Sequence, residues 1–376
     1  MKKLAFDDVL NALRTVNDPD LHRDLVTLNM IRDLKVFDDG KVSLRVVLTT
    51  PACPLKDKIK NDVITAVQST GATQVDVVMD AEVRKAARGH AAGATANPAA
   101  GSNHGIPGVT HIIAVSSGKG GVGKSTVSVN FATALALEGA TVGLLDADIY
   151  GPNVPTMMGV TENPKLVQDP VKGEMFIPPM SHGVKVMSMG FLLQGDQPVI
   201  WRGPMLHNIL NQFCNRVEWG KLDYLVLDLP PGTGDVQLSL AQMLPLSGAV
   251  IVTTPQEIAL QDVRKALNMW EKVKVPALGV VENMSHFTGD DGKKYYIFGQ
   301  GGGEMLAKKF HTQVLAQMPL VPQVREGGDT GRPIVVKDPQ SESAKLFREL
   351  AQKVAREVVL LDAKAPAQGG LEIGKF

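Results

Sequence analysis

Residues 111–135 read HIIAVSSGKGGVGKSTVSVNFATAL. An apolar strand, a glycine-rich turn and the first turns of an apolar helix follow one another without a break, and that order decides the fold. The segment Gly118-Lys119-Gly120-Gly121-Val122-Gly123-Lys124-Ser125-Thr126 has the spacing of a P-loop. Its glycines let backbone N–H groups turn inward around phosphate oxygens, and the helix N-terminus adds the positive end of its dipole. Lys124 is placed to reach the β- and γ-phosphates, and the Ser125 hydroxyl to ligate Mg²⁺.

Further apolar runs at His111–Val115, Val142–Leu145, Tyr224–Leu227, Ala249–Val252 and Ala277–Val281 are short and continuous, as suits parallel strands buried on both faces. Amphipathic stretches intervene, such as Leu260, Val263, Ala266, Leu267 and Trp270 at three- and four-residue spacing. Right-handed crossovers then predict a doubly wound, mostly parallel α/β sheet of the P-loop NTPase class.

Such sheets bind ligands beyond the carboxyl ends of their strands, so acidic residues at those ends are candidates for chemistry. Asp146 and Asp148, in Leu144-Leu145-Asp146-Ala147-Asp148, are expected to hold the metal's water shell and to orient the attacking water. Asp228 ends Leu225-Val226-Leu227 as a Walker-B aspartate does, ahead of Pro230-Pro231-Gly232-Thr233-Gly234-Asp235, a glycine-hinged loop suited to sensing the γ-phosphate. Asn283, closing a later strand, is either a turn residue or a partner for the adenine edge. Arg202, in Trp201-Arg202-Gly203-Pro204, either packs or contacts a sister subunit. Lys119 is a solvated loop charge or a second lysine reaching the γ-phosphate of a partner subunit, as an arginine finger does.

Ahead of the P-loop unit, residues 86–108 read AARGHAAGATANPAAGSNHGIPG, in which Ala, Gly and Pro supply 15 of 23 residues. So little apolar surface predicts a flexible linker. Residues 1–85 predict a small α+β domain. Its helices carry the stripes Val9, Leu10, Leu13, Val16 and Leu55, Ile59, Val63, Ile64, Val67. Strands are expected at Met30–Phe37 and Lys41–Leu48, joined by Asp38-Asp39-Gly40, and at Val75–Met79. The P-loop domain then spans 109–361, and residues 362–376 read as a mobile tail.

Charge balances at 39 Lys+Arg against 39 Asp+Glu, which argues against a protein holding nucleic acid or anionic lipid by bulk electrostatics. No apolar run approaches the roughly 20 residues of a membrane span. The N-terminus turns acidic where a signal peptide needs its apolar core, and two cysteines make no disulfide scaffold; a cytoplasmic setting is expected.

GKGGVGKST, LLDADIYGPNVPTMMG, WRGP, YLVLDLPPGTGD, TTPQEIALQDVRKA and VENMS, in that order, resemble the Mrp/ApbC family over residues 109–360. These are deviant-Walker-A ATPases of the class of MinD, ParA and the nitrogenase iron protein. Asn17-Asp18-Pro19-Asp20 and Leu48-Thr49-Thr50-Pro51-Ala52-Cys53-Pro54 are similar to the small PaaD-like domain of bacterial members. The resemblance implies a homodimeric ATPase using ATP and Mg²⁺, which binds iron–sulfur clusters and hands them to apo-proteins, in company with assembly scaffold proteins. It also implies that Lys119 and Lys124 are the two P-loop lysines, and Asp148 and Asp228 the switch and metal-shell carboxylates.

The chain departs from the family at one place. Members commonly carry Cys-x-x-Cys shortly after ENMS, whereas here residues 283–299 read NMSHFTGDDGKKYYIFG. A [4Fe–4S] cluster usually takes four thiolates, and this chain offers Cys53 and Cys214. Cys214 reads as a buried small hydrophobe. Cys53 lies ahead of a helix whose N-terminus is expected to lower its pKa, and it reads either as a reactive or cluster-contacting thiol or as a packed loop residue. His286 is the alternative ligand in the altered loop. A nucleotide-switched adaptor that holds no bridging cluster fits the same cysteine count. A MinD- or ParA-like positioning ATPase fits less well, since the glycine-rich tail and the charge balance supply neither a membrane helix nor a basic DNA-binding face.

The linker reading carries a direct expectation. Limited proteolysis of the native chain cuts first within residues 86–108 and releases a stable C-terminal P-loop fragment; resistance of that stretch contradicts the reading.

Overall fold

The computed structural model describes residues 4–83, 105–192 and 203–364. Arg202, most of the expected linker and residues 365–376 lie outside the described residues. The chain divides into two compact units, residues 1–92 with 355–376, and residues 93–354.

In the first unit, helix α1 (Phe6–Leu13) is followed by the short paired strands β1 (Asn17–Asp18) and β2 (Arg23–Asp24). Strands β3 (Ile31–Val36) and β4 (Lys41–Leu48), helix α2 (Lys56–Gln68) and strand β5 (Gln74–Ala81) complete it. Strand β4 is central, antiparallel to β3 and parallel to β5. Val42, Leu44, Val46 and Leu48 alternate inward from it, and Ile59, Val63 and Val67 of α2 meet them. The helical stripe ends earlier than its spacing suggests. The chain leaves α1 after Leu13, and Val16 reaches the core from the following turn, its N–H donating to Leu13 O at 3.2 Å.

The second unit is built on an eight-stranded sheet. Strand β6 (Val109–Ser117) leads into α3 (Lys124–Leu137), β7 (Val142–Asp146) and α4 (Val154–Met157). The hairpin β8 (Lys165–Asp169) and β9 (Gly173–Ile177) precedes β10 (Met180–Ser181) and β11 (Val184–Ser188). Next come α5 (Gly203–Asn215), β12 (Leu222–Asp228), α6 (Asp235–Met243), β13 (Gly248–Thr253), α7 (Glu257–Lys272) and β14 (Ala277–Glu282). A small hairpin, β15 (Phe287–Thr288) and β16 (Lys294–Tyr295), leads to α8 (Gly302–Lys309), β17 (Val314–Gln317), α9 (Pro322–Asp329), α10 (Ile334–Lys337) and α11 (Glu342–Lys364), whose residues from Ala355 on count with the first unit. The sheet order is β10-β11-β7-β12-β6-β13-β14-β17, parallel throughout except at β10, which pairs antiparallel at the edge. The doubly wound α/β expectation therefore holds.

Every residue of β7 and β13 is buried, as a strand covered on both faces must be. Three strands of this sheet escape the sequence reading, β10, β11 and β17, as do the β8–β9 and β15–β16 hairpins. All three are short; β11 is interrupted by Lys185, and β17 ends after four residues at Gln317. Lys185 is accommodated because its ammonium donates to Trp219 O at 2.6 Å. The register places the ends of β6, β7, β12 and β13 along one rim of the sheet, with Asp228 level with Asp146.

In the small unit, Leu13 has no exposed surface. Leu13→Ala lowers the stability of that unit by about 2–5 kcal/mol, read from urea denaturation of the full chain.

Candidate functional site

The P-loop leaves β6 at Ser117 and enters α3 at Lys124. Two of its glycines are dictated by neighbours. A Cβ on Gly118 would overlap the backbone of Asp262 and Val263 in α7. Gly123, the α3 N-cap, has φ +82°, and a Cβ there would overlap the Asn283 amide nitrogen. Gly120 and Gly121 are exposed on the loop, Val122 is buried, and Thr126 is half-buried one residue past Ser125. Lys119 is half-buried, its carbonyl accepting the Ser117 hydroxyl at 3.0 Å.

Around Lys124 the sequence candidates converge. Its side chain is 6% exposed, with Nζ 2.8 Å from Asp228 Oδ1 and 3.8 Å from Asp148 Oδ2. Nζ also donates to Ser125 Oγ at 3.2 Å. The Asp228 carboxylate accepts the Ser125 hydroxyl on Oδ2 and the Ser128 hydroxyl on Oδ1, each at 2.6 Å. Ser128 was not singled out from the sequence, although its position three residues after Ser125 puts both hydroxyls on one side of α3.

Asp146 is fully buried and serves the loops on either side. Its Oδ1 accepts the Asp148 N–H at 3.1 Å. Its Oδ2 accepts the Ser188 hydroxyl at 2.8 Å and the Val154 N–H at 3.2 Å. Ser188 in turn accepts the Gly190 N–H at 2.9 Å, so one carboxylate organises both the start of α4 and the turn after β11. Burial first, and the neighbouring Asp228 charge second, push its pKa up to about 8; the Ser188 and Asp148 donors and Lys124 pull the other way. Ser188 escaped the sequence reading because β11 did. Asp148 turns its Oδ1 to its own loop, accepting the N–H groups of Tyr150 at 3.2 Å and Gly151 at 3.3 Å.

One lysine thus faces three buried carboxylates, an excess of negative charge that suits an added cation. The donors are hydroxyl and carboxylate oxygens, the hard set that Mg²⁺ takes.

Asn283 closes the rim on the other side. Its Nδ2 donates to Val122 O at 2.9 Å, which ties the end of β14 to the P-loop. A cavity of about 490 Å³ opens beside it, lined by Gly123, Thr126, Asn283, Met284, Leu320 and Val324 among others. Behind it, Glu282 is buried, accepting the Gly303 N–H at 2.6 Å and the Gln317 amide at 3.3 Å, so it fixes both ends of the β15–β16 excursion.

That excursion stands where a Cys-x-x-Cys was expected and absent. Ser285 donates its hydroxyl to Met318 O at 3.0 Å, and the same Oγ lies 3.0 Å from His286 Nδ1. The ring lies 6.3 Å from that of Tyr296, and burial lowers its pKa. Among the described residues no group of three His, Cys, Asp or Glu side chains is arranged to hold a metal ion.

Cys214 belongs to the core under α5, and burial pushes its thiol up to about 12. Cys53 is half-buried in the first unit. Its pKa is raised, opposite to the direction expected from the helix N-terminus. Burial dominates, Asp18 and Asp20 add to it, and the Leu55 N–H and Lys56 offset only part.

Comparison with known proteins places both units. A family model described as NUBPL iron-transfer P-loop NTPase matches residues 108–355, and one described as iron-sulfur cluster assembly protein matches residues 7–78. The chain is 50% identical over 358 residues to a protein of Synechocystis named iron-sulfur cluster carrier protein, covering 94% of this chain and 98% of the relative. It is 44% identical over 357 residues to a protein of Escherichia coli with the same name, covering 93% and 91%. Among solved structures, a nucleotide-binding protein of Archaeoglobus fulgidus in complex with ADP matches at 38% identity with a TM-score of 0.55, over 64% of this chain and 93% of that one. No helix among the described residues is long and apolar enough to cross a membrane.

The thiol environments fix a pH dependence. Alkylation by iodoacetamide labels Cys53 and spares Cys214, and because the Cys53 pKa is raised, its rate keeps climbing from pH 7 through pH 9. A plateau below pH 8 would contradict the raised thiol.

Proposed function

Because this chain belongs to the NUBPL iron-transfer P-loop NTPase family, we propose that it is an ATP-binding and hydrolysing carrier that binds iron–sulfur clusters and passes them to apo-proteins. The observation that carries the nucleotide half is the buried Lys124–Asp228–Ser125 constellation at the mouth of the P-loop. A lysine held among carboxylates is poised to move to phosphates, whose greater charge outbids a single Asp228. Mg²⁺, where bound, is held by Ser125 and Asp228 with Asp146 behind them, and it supplies charge neutralisation on the β- and γ-phosphates. Asp148 orients the attacking water, and Gly118 through Thr126 cradle the phosphates with backbone N–H groups.

Asn283 reads the base. Its Nδ2 is committed to Val122 O, so its Oδ1 is left to accept from an exocyclic amine. Adenine has such an amine where guanine has a carbonyl, which favours ATP over GTP, and the adjoining cavity is of a size for the base.

Hydrolysis runs in a homodimer, with Lys119 supplying charge to the γ-phosphate of the partner subunit. Support comes from the rim around the site. Ile258, Tyr295, Tyr296, Ile297 and Met305 are exposed on α7, α8 and the β15–β16 excursion, apolar side chains that a partner subunit would cover. The cluster is cargo, and Cys53 is its proposed protein ligand, completed by other ligands from a second copy, the recipient or an exogenous thiol. A raised thiol pKa and few protein thiolates make a weakly held cluster, which suits release.

Two experiments test the reading. Lys124→Ala abolishes nucleotide binding. Lys119→Ala preserves it within about threefold and lowers kcat by about 10³-fold or more. Mixing Lys119→Ala with Asp148→Ala subunits recovers activity if the lysine acts in trans, and no recovery at any ratio rejects that assignment. Anaerobic reconstitution with iron and sulfide gives visible iron–sulfur absorbance in wild type and Cys214→Ser and none in Cys53→Ser. A full cluster in both variants removes Cys53 and turns attention to His286, and no cluster in any version favours the nucleotide-switched adaptor.

A further inference from the structure

The loop from Leu229 to Gly234 connects the Asp228 carboxylate to α6, and the way it is tied down singles out a residue outside the motifs. Leu229 N–H donates to Val115 O at 3.2 Å and Gly232 N–H to Ser117 O at 2.9 Å, which fastens one side of the loop to the strand feeding the P-loop. Pro230 and Pro231 bring no N–H, so the loop has few donors with which to brace itself. The other side is held by one side chain. Gln237 Nε2 donates to Pro230 O at 2.6 Å and to Gly232 O at 2.9 Å. Since both partners are carbonyls, the group facing them is the NH₂ end of the amide.

Gln237 is 1% exposed, and its Oε1 is buried without a hydrogen-bond partner. It occupies the third position of α6, whose N-cap is Gly234. From that position a glutamine ordinarily turns its oxygen back to accept the N-cap N–H. Here the donors are spent on the loop instead, and Oε1 stops 3.7 Å from where a Cβ on Gly234 would lie. A buried acceptor in reach of the helix start, on a side chain already committed to the loop, has two arrangements open to it.

We propose that Gln237 is the positioning residue of the Pro230–Gly234 loop. In the arrangement seen here its Nε2 latches Pro230 and Gly232. When the loop re-forms around the γ-phosphate those bonds are released, and Oε1 takes the Gly234 N–H as the cap of α6. The latch stores the loop in one state and gives the amide a full partner in the other, so the nucleotide shifts a two-state element. Gln237 touches neither phosphate nor metal. It acts through the loop that begins one residue after Asp228, and Gly120 meets the same loop, a Cβ on it lying 3.9 Å from Pro231. This inference rests on the ATPase reading above.

The test uses the full chain with Gln237→Leu, which keeps the volume and removes both arrangements, and Gln237→Glu, which sets carboxylate oxygens against two carbonyls. Three quantities are read: the affinity for a fluorescent ADP analogue, steady-state ATP hydrolysis, and hydrogen exchange at the Gly232–Gln237 amides. Affinity stays within twofold in both variants while kcat falls at least tenfold, and exchange at Gly232 quickens about tenfold in the nucleotide-free protein. In wild type, a non-hydrolysable ATP analogue slows exchange at the Gly234 amide; Gln237→Leu loses that protection, whereas Gln237→Glu, which keeps the acceptor and loses the latch, shows it with or without nucleotide. Unchanged kcat and exchange overturn the proposal, as does loss of ADP binding in step with kcat, which marks a merely structural role. Should Gln237→Leu not fold, Gln237→Glu and the wild-type exchange experiment decide alone. If wild type hydrolyses no ATP, the ATPase reading fails, and the exchange data at Gly232 and Gly234 still decide the latch.

Discussion

A carboxylate buried at the end of a parallel strand cannot stand alone, and the site is arranged around that constraint. Asp228 has no exposed surface, and an isolated charge there would be prohibitively costly. It is met by the Lys124 ammonium and by the hydroxyls of Ser125 and Ser128, which come from one face of α3. The helix following the P-loop is thereby pinned to the neighbouring strand by polar contacts as well as by its apolar residues. The same contacts hold the P-loop lysine at the mouth of the loop, so on the proposed reading one network serves the stability of the site and its readiness.

Asp146 repeats the logic one strand over. In register with Asp228, it accepts from the β7–α4 connection, from the first residue of α4 and from the end of β11, and so links the strand rim to α4 and to the turn after β11. Its burial and the proximity of the Asp228 charge raise its pKa, so Asp146 resists ionising there until more positive charge than Lys124 supplies is at hand. On the proposed reading, nucleotide-bound Mg²⁺ relieves that conflict, and the loops hung on Asp146 register the change. Coupling from the site to the surrounding loops then needs no long chain of contacts, because the carboxylates that feel the ligand are the ones that hold the loops.

The parallel sheet was legible because its strands are nearly unbroken apolar runs, and the P-loop because its glycines have fixed spacing. Both signals are local. What escaped was set by partners distant in sequence. Strand β11 carries Lys185, which is tolerable only because Trp219 offers its carbonyl, and no window around Lys185 contains that fact. Ser188 and Gln237 have no motif of their own, and their roles appear only when the loops they hold are in place. Cys53 shows the opposite failure. Its place before α2 argued for a lowered thiol pKa, but burial and the carboxylates of Asp18 and Asp20 outweigh the helix terminus.

That reversal bears on how cargo is held. A thiol that is reluctant to ionise binds metal only by giving up a proton, so its affinity for a cluster falls as the solution becomes more acidic. With Cys214 locked in the core and His286 set beside Tyr296, the described residues place few strong ligands around iron. A storage protein or an electron-transfer protein needs a closed, saturated coordination shell, whereas a carrier needs a shell its recipient can complete more favourably. On the proposed reading, with Cys53 as ligand, the scarcity of thiolates and the protonation cost at Cys53 both weaken retention, and weak retention lets a recipient with its own set of thiolates draw the cluster away. On this view the substitution of the Cys-x-x-Cys by a hairpin moves the burden of specificity from the cluster's ligands to the nucleotide-controlled contacts between carrier and recipient.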